Sequence, residues 1–164
     1  MCLNGVMNDI GWVEDLIKGK ITELIFEQMF REDGRYVIFH YGYEYTAPEL
    51  VKVLRNEPVL REDLKDARKA PDYILVKNGE RGALVEVKFR SNFNAVNLLE
   101  MARKIHEQWG NAYLFVASKT GFSFDDCKTI IDKNGSISNL DQSIISEPTQ
   151  IKYLEILNRY VGQN

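Results

Sequence analysis

The chain has 164 residues, of which 45% are hydrophobic and 27% are charged, and its formal net charge is −3. This size and composition predict one globular domain over residues 1–164 with a core of its own. The negative net charge excludes a polybasic nucleic-acid-binding chain, and no apolar run approaches the roughly 20 residues of a membrane-spanning helix. Two cysteines in no metal-ligand pattern, together with the lack of a signal peptide, predict a cytoplasmic location.

The first predicted element is an amphipathic helix over residues 9–32, which Gly19 could break or kink. Its predicted apolar face is formed by Val13, Leu16, Ile17, Ile21, Leu24, Ile25 and Phe26. Residues 35–41 then have the composition of a strand, and their almost continuous apolar content predicts burial on both faces. We expect His40 in this strand to be a hydrogen-bonded structural histidine rather than a ligand.

A helical insertion is predicted over residues 46–70, between the first two strands. Thr46 has the features of an N-cap, with Pro48 in the first turn and Glu49 completing a capping box. Lysine and arginine are frequent in this segment, and Lys69 comes just before the next strand. The insertion is therefore either a flap that contacts a substrate or a solvated helical cover for one sheet edge.

The most informative segment is residues 71–90, where two runs of apolar and β-branched residues flank Asn78-Gly79 in the pattern of a β-hairpin. With the turn near these two residues, cross-strand partners have numbers that sum to about 158, which places Asp72 opposite Glu86. Side chains alternate along a strand, so Glu86 and Lys88 share a face. Two carboxylates and an ammonium group are thus expected within a few ångströms of one another.

Two carboxylates that face each other across a sheet repel, so the predicted pair needs a compensating charge. A divalent cation would supply it, and Mg²⁺ needs only one or two carboxylates and a backbone carbonyl because it keeps several waters. Lys88 could then hold or polarise a water next to the metal, which gives a hydrolytic site suited to a phosphodiester. The alternative is a surface hairpin whose charged face is solvated.

Pro71-Asp72 followed by Glu86-Val87-Lys88 resembles the signature of the PD-(D/E)xK nuclease superfamily, which includes restriction enzymes and archaeal Holliday-junction resolvases. The resemblance covers about residues 19–118. It implies an α/β fold with the restriction endonuclease-like αβββαβ core, a central mixed sheet flanked by helices. It also implies Mg²⁺, or Mn²⁺ as a substitute, held by Asp72, Glu86 and the Val87 carbonyl, with Lys88 orienting the attacking water.

In the family, the first core helix often carries a glutamate that approaches the metal, and Glu23 is the matching position here, with Glu27 as the fallback. A solvent-facing glutamate is the alternative interpretation. After the hairpin, Asn92 or Asn94 can cap a helix that runs to about Trp109, and residues 112–118 form a buried strand. The candidate DNA-binding residues, each of which could equally lie on a solvated face, are Arg90, Arg103, Lys104 and Lys69.

In the C-terminal part, the residue pattern predicts a helix over residues 125–132 and a final helix that begins at Glu147-Pro148. Between them, residues 136–146 are ambiguous and include an edge strand as one interpretation. The stripe of the final helix is formed by Ile151, Leu154, Leu157 and Val161. This stripe could pack on the core or on a second subunit.

The leading interpretation is a metal-dependent DNA endonuclease, a single nuclease-like domain that acts on duplex or branched DNA and could form a homodimer. Basic side chains outnumber acidic ones in residues 77–104, which suits a phosphate-binding surface around an acidic pocket but also fits ordinary surface charge. One alternative is a catalytically silent nucleic-acid-binding domain of the same fold, which the intact set of Asp72, Glu86 and Lys88 opposes. The other is a protein-interaction or regulatory domain, which the acidic charge balance and small size support.

Overall fold

A computed structural model describes residues 4–41, 70–92, 94–110 and 112–162. These residues form four helices and five strands. In chain order they are α1 (Asn4–Asp33), β1 (Tyr36–His40), β2 (Tyr73–Lys77), β3 (Ala83–Phe89), α2 (Ala95–Trp109), β4 (Ala112–Ser118), β5 (Gly121–Asp126), α3 (Cys127–Asp132) and α4 (Glu147–Val161). The predicted order of a helix, three strands, a helix and a further strand is confirmed.

The five strands form one mixed sheet in the spatial order β1-β2-β3-β4-β5. Strands β3 and β4 are parallel, whereas every other neighbouring pair is antiparallel. Parallel neighbours need a crossover connection, and α2 provides it. The predicted α/β class with a central mixed sheet flanked by helices is therefore confirmed.

Helices cover both faces of the sheet, and each face has its own apolar core. The α1 face is rich in aromatic residues: Phe26 and Phe30 of α1 pack against Tyr73 and Phe115 of the sheet, and α4 closes the same layer. The α2 face is smaller and aliphatic, with Leu98, Ala102, Leu114, Val116, Cys127 and Ile130 at its centre. Alternation along β3 and β4 thus sends successive side chains into two different layers.

The hairpin between β2 and β3 has the predicted register, because Tyr73 pairs with Val85 and Ile74 pairs with Leu84. The turn contains a hydrogen bond from the Glu80 N–H to the Lys77 carbonyl, 2.9 Å. Gly79 has φ +81° in this turn, a conformation that residues with a Cβ rarely adopt. The local turn chemistry that the sequence indicates therefore sets the pairing of the two strands.

Helix α1 differs from its prediction in length and burial. It continues through Gly19 without a break, and Val13, Leu16, Ile17 and Leu24 are exposed rather than packed. A 30-residue helix is about 45 Å long, whereas a seven-residue strand spans about 23 Å. Only the part of α1 from Ile21 onward therefore lies over the sheet, and the N-terminal part of the predicted apolar face does not reach it.

The predicted burial of the first strand on both faces is wrong. Ile38 is buried against the α1 layer, but Val37 and Phe39 are 47% and 54% exposed. Strand β1 lies at the edge of the sheet, and the described helices cover only one of its faces. The apolar content of this strand alone therefore overestimates the burial of its side chains.

The C-terminal part contains a strand that the sequence analysis missed. Residues Gly121–Asp126 form β5 along β4, and the following helix begins at Cys127 rather than at residue 125. Asp126 is the N-cap of that helix and accepts a hydrogen bond from the Thr129 N–H, 2.9 Å. Residues 136–146 form no regular strand and contribute one isolated bridge, between Ser123 and Asn139.

The final helix begins at Glu147 with Pro148 in its first turn, as predicted, but its buried face is rotated. Tyr153, Leu157 and Val161 are buried, whereas Ile151 is exposed, so the prediction for Ile151 is wrong. Lys152 and Tyr153 both contact the Glu32 carboxylate of α1, at 2.7 Å each. The helix therefore packs on the core of its own chain.

The predicted insertion falls almost entirely outside the described residues, since residues 46–69, including Lys69, are not among them. Of the helices that are described, none is both long and apolar enough to cross a membrane.

Candidate active site on the β2–β3 hairpin

Asp72 lies directly before β2, at the point where the backbone ladder between β2 and β3 ends. Its carboxylate accepts a hydrogen bond from the Val87 N–H at 2.8 Å, so a side chain replaces the backbone carbonyl that would continue the ladder. Its own carbonyl accepts from the Tyr41 N–H at 3.0 Å. Asp72 is thus held from both neighbouring strands, which fixes the direction of its carboxylate.

The Val87 carbonyl belongs to the same site by strand geometry. In an antiparallel ladder, the N–H and C=O of one residue point towards the same neighbouring strand. Since the Val87 N–H meets the Asp72 carboxylate, the Val87 carbonyl is directed to that same side of β3. A carboxylate oxygen and a backbone carbonyl oxygen are therefore available side by side.

Glu86 and Lys88 lie on the α2 face of β3, where their side chains form an ion pair. Their partners in the parallel pairing with β4 are Leu114 and Val116, which are fully buried in the aliphatic layer. The register that pairs Tyr73 with Val85 places Asp72 opposite Glu86, as predicted. The structure therefore brings two carboxylates and one ammonium group together next to the buried apolar side chains of β4.

The electrostatics of this cluster are dominated by burial and by an excess of negative charge. Burial, followed by the charge of Glu86, raises the pKa of Asp72 to about 7, although Lys88 and the Val87 N–H act in the opposite direction. For Lys88, burial favours the neutral amine, but the charges of Glu86 and Asp72 outweigh it and raise the pKa. Lys88 is therefore a permanent cation near neutral pH and a hydrogen-bond donor, not a base.

Cys127 is buried in the aliphatic layer beneath Glu86 and Lys88, together with Leu114 and Val116. Burial, with added effects from the charges of Asp126 and Glu86, raises the pKa of its thiol to about 12. A thiol of this kind is neither a nucleophile nor a good metal ligand near neutral pH. Its role here is to pack.

Glu23 approaches the same end of the hairpin from α1. Its carbonyl accepts a hydrogen bond from the Tyr73 hydroxyl at 3.2 Å, and its negative charge contributes to the raised pKa of Asp72. Its carboxylate is paired with Lys20 at 2.9 Å. Glu23 is thus close to the cluster without a direct contact to Asp72 among the described interactions.

Glu27, the fallback position, belongs to a different cluster. Its carboxylate accepts from the Arg31 guanidinium at 2.9 Å and lies 3.3 Å from the His40 Nε2. It is buried on the α1 face, away from Glu86 and Lys88. This arrangement agrees with the structural role expected for His40 and favours Glu23 over Glu27 as the additional acid.

The predicted DNA-binding residues occupy different surroundings. Arg90 follows β3 directly, with its backbone N–H bonded to the Ala117 carbonyl at 2.9 Å and its guanidinium bonded to the Phe89 carbonyl at 2.8 Å. Arg103 and Lys104 are exposed on α2, and Lys104 pairs with Glu100 at 2.7 Å. Of the three that the structure describes, Arg90 alone lies at the end of the strand that carries Glu86 and Lys88.

One feature next to the cluster was missed by the sequence analysis. Tyr41 follows the last residue of β1, and its ring lies 6.0 Å from the ring of Trp109 with the two planes nearly perpendicular. Trp109 is the last residue of its predicted helix, and Tyr41 is the last residue of the strand that is predicted to be buried on both faces. Both are partly exposed. The available signal was an aromatic residue at the end of each of two elements.

The donor set of the cluster can be tested against Mg²⁺ chemistry. No group of three or more His, Cys, Asp and Glu side chains in the described ranges has the geometry of a metal site. The hairpin instead offers two carboxylates and a backbone carbonyl, a set that suits Mg²⁺ with its remaining positions filled by water or substrate oxygens. The residues therefore fit a magnesium ion and do not fit a structural zinc ion, which is bound by cysteine and histidine.

No protein-family model matches the chain, and no curated protein matches it in sequence.

Proposed function

We propose that the chain is a Mg²⁺-dependent nuclease that hydrolyses phosphodiester bonds in DNA and belongs to the PD-(D/E)xK type. The observation that carries the proposal is the hairpin cluster, in which Asp72 is fixed by the Val87 N–H opposite Glu86, with Lys88 beside it. Three observations support it: the register, the excess of negative charge, and the order of strands and helices around the hairpin. The same order supports a restriction endonuclease-like core.

In this proposal, Asp72, Glu86 and the Val87 carbonyl hold the ion, and Mn²⁺ can replace it. When bound, Mg²⁺ supplies positive charge that stabilises the negative charge developing on the scissile phosphate. The carboxylates also lose their mutual repulsion, which otherwise disfavours their meeting across the sheet.

Lys88 has a separate task that follows from its charge. Because its pKa is raised, it stays protonated and donates hydrogen bonds, so it orients the attacking water rather than removing the proton from it. The proton then passes to bulk water or to a phosphate oxygen of the substrate. In this proposal Glu23 binds a second ion or a bridging water at the edge of the site.

The test is nicking of supercoiled plasmid DNA in Mg²⁺, with Asp72→Asn and Lys88→Met as the site variants. Asparagine keeps an acceptor for the Val87 N–H, so Asp72→Asn removes the charge and preserves the contact. Lys77→Met is the matched control, because Lys77 lies in the same hairpin and pairs with Glu80 on an exposed surface. We expect nicking by the wild type and by Lys77→Met, and at least about a hundredfold slower nicking by both site variants.

Unchanged nicking in Asp72→Asn and Lys88→Met would contradict the proposal. DNA binding without hydrolysis by the wild type in Mg²⁺ or Mn²⁺ would instead indicate a catalytically silent domain. Calorimetry measures metal binding independently of DNA hydrolysis. Mg²⁺ should bind the wild type and fail to bind Asp72→Asn.

A further inference from the structure

Helix α1 carries a row of exposed apolar side chains, which we call the outer stripe. Its four members are 55%, 43%, 51% and 57% exposed, and they are Ile10, Val13, Ile17 and Leu24. Consecutive residues of a helix differ by about 100°, so these four fall within a sector of about 60°. The α1 residues that are buried against the sheet lie on roughly the opposite side, and they are Ile25, Phe26, Met29 and Phe30. The outer stripe therefore points away from the core.

Three of the four residues of the outer stripe belong to the part of α1 that extends beyond the sheet. Gly11 and Gly19 lie in this part, and glycine has a low helix propensity. A Cβ built on either glycine would meet no atom of the described residues within 4 Å. Most helical stability in proteins comes from the packing of one face rather than from propensity. A partner that covers the outer stripe would supply the packing that this part of α1 needs.

The spacing of the outer stripe indicates the kind of partner that fits it. Its residues follow one another at intervals of three, four and seven, which is the spacing of the apolar seam between two packed helices. From Ile10 to Leu24 the seam is about 21 Å long. Its matching surface is another apolar helix face of the same length and spacing, which a second copy of this chain supplies.

The charges beside the outer stripe favour an antiparallel arrangement of the two copies. Glu14 and Asp15 make one turn of α1 acidic, and Lys18 and Lys20 make the next turn basic. In a parallel pair each turn would lie beside a turn of like charge, and Lys20 of both copies would meet in the seam. An antiparallel pair instead places the acidic turn of one copy beside the basic turn of the other. Lys20 keeps its ion pair with Glu23 of its own chain in either case.

The outer stripe is also symmetric about Ile17, because Ile10 and Leu24 are each seven residues away from it. A two-fold axis at Ile17 therefore brings Ile10 of one copy beside Leu24 of the other. The two sheets then lie at opposite ends of the helix pair, since each sheet is covered by its own α1 only from Ile21 onward. We propose that two copies of the chain associate by antiparallel packing of their α1 helices along the outer stripe. Association needs neither metal nor DNA, so it does not depend on the proposed nuclease function.

Analytical ultracentrifugation of the full chain in EDTA, over a series of protein concentrations, tests the association. A seam of about four turns is at the small end of specific interfaces, so we expect a dimer with a Kd of about 10 μM. Ile17→Glu puts two carboxylates at the two-fold axis and should weaken association at least about tenfold. Ile151→Glu is the matched control, because Ile151 of α4 is 52% exposed and Ile17 is 51% exposed. This control should associate like the wild type.

A wild type that stays monomeric up to about 200 μM would overturn the proposal. Unchanged association of Ile17→Glu, or an equal loss in Ile151→Glu, would overturn it as well. Ile17→Glu should melt at the temperature of the dilute, monomeric wild type, which shows that its fold is intact. Should Ile17→Glu fail to fold, Ile10→Glu replaces it, because Ile10 is 55% exposed and lies beyond the sheet.

Cross-linking with a short bismaleimide tests the antiparallel direction. The background is Cys2→Ser, in which the remaining Cys127 is buried. Ile10→Cys chains are mixed with Leu24→Cys chains, one of which carries an affinity tag that identifies the mixed product by its mass. We expect the mixed product to form faster than either product of identical chains. Faster cross-linking of Ile10→Cys with itself would indicate a parallel pair and would overturn the proposal.

Discussion

The cluster around Glu27 and the cluster around Asp72, both within the described residues, differ in the balance of acidic and basic side chains. On the α1 face, Glu27 is one acid between two bases, Arg31 and His40. On the α2 face, Asp72 and Glu86 are two acids beside one base, and Glu23 adds a further negative charge nearby. The side chains of Glu27 and Glu86 are exposed to a similar degree, 10% and 16%, so burial alone does not distinguish them.

This difference in charge balance is the basis on which we propose a structural role for Glu27 and a functional role for Asp72 and Glu86. The buried Glu27 carboxylate is ion-paired with the Arg31 guanidinium and contacts the His40 imidazole, so its charge is compensated within its own cluster. A pair of carboxylates with one cation retains negative charge, and the raised pKa of Asp72 reports the free-energy cost of that arrangement. Strongly perturbed groups of this kind are typical of functional sites, and a bound divalent cation would remove the cost.

The largest expected effect compares the same change in the two clusters. Glu86→Gln removes a proposed metal ligand and should slow Mg²⁺-dependent plasmid nicking at least about a hundredfold. Glu27→Gln makes the identical chemical change on the other face and should leave the nicking rate within a few-fold of the wild type. Initial rates at saturating Mg²⁺ check both expectations. Similar losses in the two variants would show that the clusters do not differ in function.

The next effect is on stability and depends on pH. The pKa of Asp72 is about 7 in the folded protein and about 3.8 in an unfolded chain, so the folded state binds more protons between these values. The free energy of unfolding contributed by this group therefore falls as pH rises from about 4 to 7. Without metal, Asp72→Asn should be more stable than the wild type at pH 8, by up to about 4 kcal/mol, and the gain should shrink at pH 5.

Urea unfolding at the two pH values, with EDTA and then with excess Mg²⁺, measures this effect. Mg²⁺ should stabilise the wild type at pH 8 and leave Asp72→Asn unchanged, because the ion binds the ionised carboxylate. A wild type that is more stable than Asp72→Asn at pH 8 in EDTA would contradict the excess of negative charge in the cluster.

A smaller effect on stability is expected from the cluster of Glu27, Arg31 and His40. Glu27→Gln should lower the free energy of unfolding by about 1 kcal/mol, because the amide keeps a hydrogen bond to Arg31 but no longer pairs with its charge. Glu80→Gln is the control, since the Glu80 carboxylate pairs with Lys77 on an exposed surface where ion pairs contribute little. Urea unfolding at pH 7 compares the two variants. An equal loss in both would show that burial of Glu27 contributes nothing.

The hairpin was predictable because its information is local. Asn78-Gly79 sets the turn, the turn sets the register, and the register brings Asp72 opposite Glu86. The cap of α2 at Asn94 was also local, since its side chain accepts from the Val96 N–H two residues later. These features needed no knowledge of the rest of the chain.

The errors concern features that depend on neighbours distant in sequence. Val37 and Phe39 have the composition of a buried strand, and only the edge position of β1 exposes them. Strand β5 was missed because Asp125 and Asp126 resemble the start of a helix, although Phe122 and Phe124 alternate as in a strand. The contact between Tyr41 and Trp109 joins residues from two separate elements, so no periodic pattern contains it.

The smallest expected effect concerns the exposed cations of α2, which lie outside both clusters. If Arg103 and Lys104 contact DNA phosphates, Arg103→Gln and Lys104→Gln should each reduce the slope of log affinity against log salt by about 1, equally for all DNA sequences. Lys128→Gln is the matched control, because Lys128 also forms an exposed i,i+4 ion pair, with Asp132 on α3. DNA binding measured between low and moderate salt compares the three variants. Equal slopes in all three would assign Arg103 and Lys104 to a solvated face, and the phosphate contacts would then have to come from residues at the end of β3, where Arg90 lies.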